Sequence, residues 1–200
     1  MLSHARALCA FAFLFHCGWS VWERNIFPIW LANVTGSTVS VGLIQSVQGI
    51  VAVLAGPIVG TAIDVFSRAS IKRFMIIEGM FSLGFLFFSL YTFDVNRSWV
   101  LYLGMGFWGI LLSTQGTLVD TLIADYTEKG KERTEMYAIK STFWRMGGLC
   151  GQIFNLAYFY TSGDSWSVII LEKIMYVGLG IMALSLGLVA CCLVTKLPSE

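Results

Sequence analysis

Residues 174–195 read IMYVGLGIMALSLGLVACCLVT, twenty-two positions without one Asp, Glu, Lys or Arg. As a helix rising about 1.5 Å per residue, this stretch is about 33 Å long, enough to cross a hydrocarbon core about 30 Å thick. Working back along the chain, 98–119 and 146–163 are equally free of charge. So is 25–63, which is too long for one crossing and must hold the end of one helix, a turn and a second helix. The expected fold is therefore all-α and polytopic, and the charges left inside the spans become the most informative residues.

Composition agrees. Hydrophobic residues make up 56% and charged residues 12%, about half the charged share of a soluble domain. A net charge of +1 offers no basic face for phosphates, which argues against a nucleic-acid partner. The cysteines (Cys9, Cys17, Cys150, Cys191, Cys192) lie in apolar stretches without disulfide or CxxC spacing. Arg6 followed by the apolar run 7–15 is leader-like, yet no Ala-x-Ala site follows and apolar character continues through Trp22. We read it as part of a retained first span.

Six spans result, at about 6–32, 39–63, 72–92, 99–124, 136–161 and 167–195, forming one bundle over 1–200. Glu23-Arg24 interrupts the first span, and Pro57 predicts a kink in the second because proline removes a helical hydrogen bond. With six spans, Arg6, Arg68, Lys72, Arg73, Lys129, Lys131, Arg133 and Lys196 share one side and only Arg97 the other. The excess of Lys and Arg belongs in the cytosol, so both termini are expected there. Which membrane holds the protein is not readable.

Two loops carry a family signal. Gly56, Gly60 and Asp64, followed by Arg68 and Lys72-Arg73, resemble the loop between helices 2 and 3 in the major facilitator superfamily, whose motif is G-x-x-x-D-R-x-G-R-R. Val65 stands where that motif has a basic residue, and its second glycine is absent. Asp125, Glu132-Arg133, Tyr137, Arg145, Gly147-Gly148 and Gly151 are similar to the helix 4–5 junction of many facilitators. Gln152 after Gly151 departs from the Gly-Pro signature of exporters. The resemblance implies half of a twelve-helix secondary transporter, working by alternating access with a second six-helix bundle, either a missing C-terminal half or another subunit. It also implies Gly56, Gly60, Asp64, Arg68, Asp125 and Arg133 as a cytosolic gate or packing motif. Independently, Ala52, Gly56 and Gly60 recur every four residues, a small-residue edge suited to close helix packing.

An ionisable group within a bilayer costs a few kcal/mol, so it faces a cavity, a partner or the membrane edge. Glu172-Lys173, Asp120, Lys140 and Glu78 lie near span ends, with Asp120 and Lys140 at matching depth as a structural pair. Glu23, Arg24 and Arg145 are deeper. His16, Ser20 and Glu23 share a stripe of span 1; Ser141, Arg145, Gly148, Gln152 and Asn155 share one of span 5; Ser113, Thr117 and Asp120 share one of span 4. Gln45 and Gln48 add to span 2. A solute path is expected there, with Glu23 taking a cationic group or coupling proton and Arg24 or Arg145 an anionic group. Trp19, Trp22, Phe27 and Trp30 are expected to pack or to anchor at the interface. The competing reading is a six-helix scaffold that binds a partner and transports nothing. No motif of an enzyme is present, and nothing in the pattern calls for a cofactor or metal.

Overall fold

The computed structural model describes residues 2–92, 98–163 and 166–192, with side chains from residue 7 to residue 191. Every regular element among them is an α-helix: α1 Leu2–Trp22, α2 Ile26–Thr35, α3 Thr38–Val65, α4 Arg68–Tyr91, α5 Ser98–Tyr126, α6 Lys131–Ser162 and α7 Val168–Cys192. Arg97, Asp164, residues 193–195 and Lys196 lie outside the described residues. The first expected span is two helices, because the chain leaves helical geometry at Glu23–Asn25. Gly36 ends α2 in the left-handed conformation (φ 64°), its N–H donating to Ala32 O.

Capping moves two boundaries outward. Ser67 Oγ accepts from Ser70 N at 3.2 Å, so α4 begins at Arg68, four residues before the expected start. α6 begins at Lys131, directly after Gly130 with φ 111°. α3 continues as one helix through Pro57. By length and composition α3, α4 and α7 can each cross a membrane.

The helices pack as two groups of three. The broken α1–α2 unit lies against α6 and α7, while α5 lies against α3 and α4. The groups meet mainly along α4 and α7, with smaller contacts of α2 on α3 and α5 on α6. Exchanging the first three spans for the last three reproduces every one of these pairings. The packing thus carries an internal three-plus-three repeat.

Glycine sets the separations. A Cβ at Gly151 of α6 would stand 2.7 Å from Cys17 O, and one at Gly109 of α5 would stand 2.5 Å from Gln48 O of α3. Helices that approach this closely gain dispersion contacts along their backbones. Of the expected Ala52–Gly56–Gly60 edge only Ala52 is used in this way, its N 3.2 Å from a Cβ at Gly109; no described residue lies within 4 Å of a Cβ at Gly56 or Gly60. The neighbouring stripe Ala55, Val59 and Ile63 is the buried one, and it turns the glycine edge away.

Aromatic side chains fill the centre. Trp22, Phe27, Trp30 and Trp108 are all buried, and Trp108 stacks on Phe15 at 5.9 Å and meets Trp22 edge-on at 5.1 Å. Trp22, Phe27 and Trp30 are thus core residues and not interface anchors. Trp30 Nε1 donates to Glu172 Oε1 at 3.2 Å, which turns Glu172 inward.

Candidate functional site

A helix that stops inside a membrane leaves its last carbonyls without partners. At the end of α1 those carbonyls are Ser20 O and Val21 O, and α6 satisfies them. Asn155 Nδ2 donates to Val21 O at 3.1 Å and to Ser20 O at 3.4 Å. Gln152 Nε2 donates to Ser20 Oγ at 2.9 Å, and Ser20 Oγ donates to Gly148 O at 3.0 Å. Asn25 Nδ2, within the break, donates to Gln152 Oε1 at 3.0 Å. The break is a built feature, sealed from the neighbouring helix.

The two charges at the break diverge. Glu23 is buried at 8% exposure, and its carboxylate accepts from Trp19 Nε1 and from Gln48 of α3. Arg24 points outward, with its guanidinium 5.8 Å from the Trp19 ring centroid. His16 is buried with its ring stacked on Trp144 at 4.4 Å. His16 Nδ1 lies 2.5 Å from Trp144 O, so Nδ1 carries the proton, and Nε2 is a buried acceptor without a partner.

A groove of about 570 Å³ opens beside the break, lined by His16, Arg24, Trp144, Arg145 and Gln152, with Ser141, Gly148 and Leu149 completing the wall. Among the described residues no carboxylate lines it. Arg145, near the middle of α6, makes no hydrogen bond or ion pair among the described residues. A second groove, of about 380 Å³, shares Ser141 and Trp144 with the first and adds Gln115, Gly116, Asp120, Tyr137 and Lys140. A third, again about 570 Å³, continues past Ser113, Thr117 and Asp120. The charges of the lower grooves cancel, because Lys140 Nζ lies 2.5 Å from Asp120 Oδ1. That is the pair their matching depth predicts. Among the described residues neither guanidinium of the upper groove forms an ion pair, though Arg24 feels the charge of the adjacent Glu23 carboxylate.

His16, Arg24, Arg145 and Gln152 therefore come together, with Asp120, Ser113 and Thr117 along the same row. The hydroxyls are spent on backbone: Ser113 Oγ donates to Ala52 O at 2.7 Å and Thr117 Oγ1 to Ser113 O at 2.8 Å. Glu23, Gln48 and Asn155 stand behind the wall, and Gln45 lies half-buried on α3. At the other end of the bundle Arg68 Nε donates to Asp125 Oδ2 at 2.8 Å and its Nη1 to Ile63 O. Arg133 Nη2 caps α5 through Ala124 O (2.7 Å) and Thr127 O (2.9 Å). Asp64 is exposed and has no partner among the described residues.

The sequence reading did not name Trp144, and it set Glu78 aside as lying near a span end. Trp144 falls one turn from Ser141 and from Gly148 on the polar stripe of α6, a spacing that would have found it. Glu78 looked close to a span end only because α4 starts earlier than expected.

The sequence model of the Major Facilitator Superfamily matches residues 8–200, nearly the whole chain. The chain belongs to the major facilitator superfamily. Comparison with curated proteins gives no match. As a facilitator it is an integral membrane protein of a transporter family, and the three-plus-three packing is the internal repeat found within each half of such carriers. Facilitator solutes bind near mid-membrane at the interface of two bundles.

Proposed function

We propose that these six spans form half of an alternating-access carrier for a small anionic solute. A second six-span bundle, either further along the polypeptide or in another subunit, closes the site, and both termini face the cytosol. One observation carries the reading: Arg24 and Arg145 line one groove, and no carboxylate lines it with them. Unpaired guanidiniums at mid-membrane are costly, and a solute carboxylate or phosphate offsets that cost through charge-assisted, bidentate hydrogen bonds. Gln152 and Ser141 add neutral polar contacts, and Trp144 an apolar wall. Glu23 serves the break and not the solute. Arg24 sits where α1 gives way to α2, so a swing of α2 about residues 23–25 carries its guanidinium towards or away from a solute held by Arg145.

The test is thermal unfolding of the purified full chain against carboxylates, phosphate esters, amines and neutral sugars. A ligand that binds only the folded state raises Tm as its concentration passes Kd. Stabilisation by an anion, absent in Arg145→Ala, is the expected result. Stabilisation by amines or sugars alone, or an anion effect that Arg145→Ala leaves intact, contradicts the proposal.

A further inference from the structure

Glu78 lies outside the solute groove, ten residues into α4 and so about 15 Å along its axis from the helix start at Arg68. It is 4% exposed, and no side chain among the described residues hydrogen-bonds either carboxyl oxygen. Its side chain abuts the α5 backbone at Leu111, where the amides already serve their own helix. The adjacent Gly79 lies against Leu186 of α7 and Leu111 of α5, so positions 78–79 sit where α4, α5 and α7 converge. This convergence is on the α4–α7 seam, the main contact between the two groups of helices.

Among the described residues no countercharge faces it. On α5, Tyr102 and Asp120 stand nine residues to either side of Leu111, about 13 Å away along the axis. On α7, Cys191 and Tyr176 lie five and ten residues from Leu186, and α3 carries only Asp64, at its far end. Arg73 and Lys72 of α4 are five and six residues, about one and a half turns, nearer the start of the helix, and Lys72 donates to Ala190 O. An ionised carboxylate in this position would lose its hydration, with only the Leu111 backbone contact to offset that cost.

We propose that Glu78 is a proton-binding site: it holds its proton while α4, α5 and α7 are closed around it and releases it when the α4–α7 seam opens to water. In the release step the carboxyl O–H bond breaks, its electron pair stays on the carboxylate, and an entering water takes the proton. Proton occupancy and the relative position of the two helix groups are then linked, each biasing the other.

The test is infrared spectroscopy of the full chain in lipid nanodiscs. At neutral pH the wild type shows a neutral-carboxyl C=O band that Glu78→Gln lacks; an unchanged band in Glu78→Gln overturns the proposal. If Glu78→Gln fails to accumulate, Glu78→Asp serves instead: the band must shift, and a spectrum identical to wild type overturns the proposal. Raising the pH until the band disappears must also increase deuterium exchange around residues 75–83 and 182–190, in the wild type and not in Glu78→Gln. Loss of the band without that increase overturns the link to the seam.

Discussion

Two guanidiniums near the middle of a bilayer require an explanation, and their neighbours supply only half of one. Arg24 has the face of Trp19, a contact of about 0.5–1 kcal/mol where water still reaches. Arg145 has no partner at all among the described residues. If the proposed anion completes both, truncation is costly: Arg145→Ala is expected to weaken anion binding at least roughly thirty-fold, the equivalent of about 2 kcal/mol. Arg145→Lys keeps the charge and loses the planar fork, so it should fall between wild type and Ala in a binding titration. Asp120 and Lys140 make the opposite case. Their pair is short, but the Asp120 side chain is 50% exposed, so a double-mutant cycle with Asp120→Asn and Lys140→Met should give a coupling below about 1 kcal/mol. Arg24, Arg145 and the Asp120–Lys140 pair were legible in the sequence because a charge in an apolar run is conspicuous. The divergence of Glu23 from Arg24 was not, since adjacent residues on a helix point about 100° apart and nothing local says which of the two is buried.

At the scale of helices, stability rests on the contact of α1 with α6. Asn155→Ala leaves Ser20 O and Val21 O short of a donor in a buried position and should lower stability by about 1–3 kcal/mol in thermal unfolding. Gly151→Val should do more, because its Cβ alone meets Cys17 O at 2.7 Å and the two helices must separate. Gly56→Ala is the control: with nothing within 4 Å it should change stability by less than about 0.5 kcal/mol. The spans themselves were readable, since a twenty-residue charge-free run has few alternatives in water or lipid. Their starts were not. Ser67 and Gly130 lengthen α4 and α6 by four and five residues through capping and turn geometry, and the early start of α4 is what carries Glu78 deep into the bundle. The spacing of Gly56 and Gly60 marked an edge suited to packing. Which edge is used was decided by the bulk of Val59 and Ile63 beside it.

Across the whole molecule, α3 and α6 stand at the two flanks with apolar faces uncovered. Val53 (74%) and Ile58 (70%) on α3 and Leu156 (72%) on α6 are the clearest examples. Lipid or a second bundle covers such faces. The proposed carrier requires the latter beside the groove, so a cysteine at Leu149, on the groove wall, should crosslink to another bundle in native membranes more readily than one at Met80 of α4. The repeat that pairs α1 with α6 and α7 as it pairs α5 with α3 and α4 was invisible in the sequence, because packing symmetry does not require residue identity. It places the α4–α7 contact between two units with matching pairings.

The most direct measurement is uptake of the best-stabilising anion by vesicles carrying the full-length protein, wild type beside Arg145→Ala at matched expression. The account predicts accumulation by the wild type and a loss of at least roughly tenfold in the variant, with Asp120→Asn changing the rate far less. Equal uptake by wild type and Arg145→Ala would contradict it.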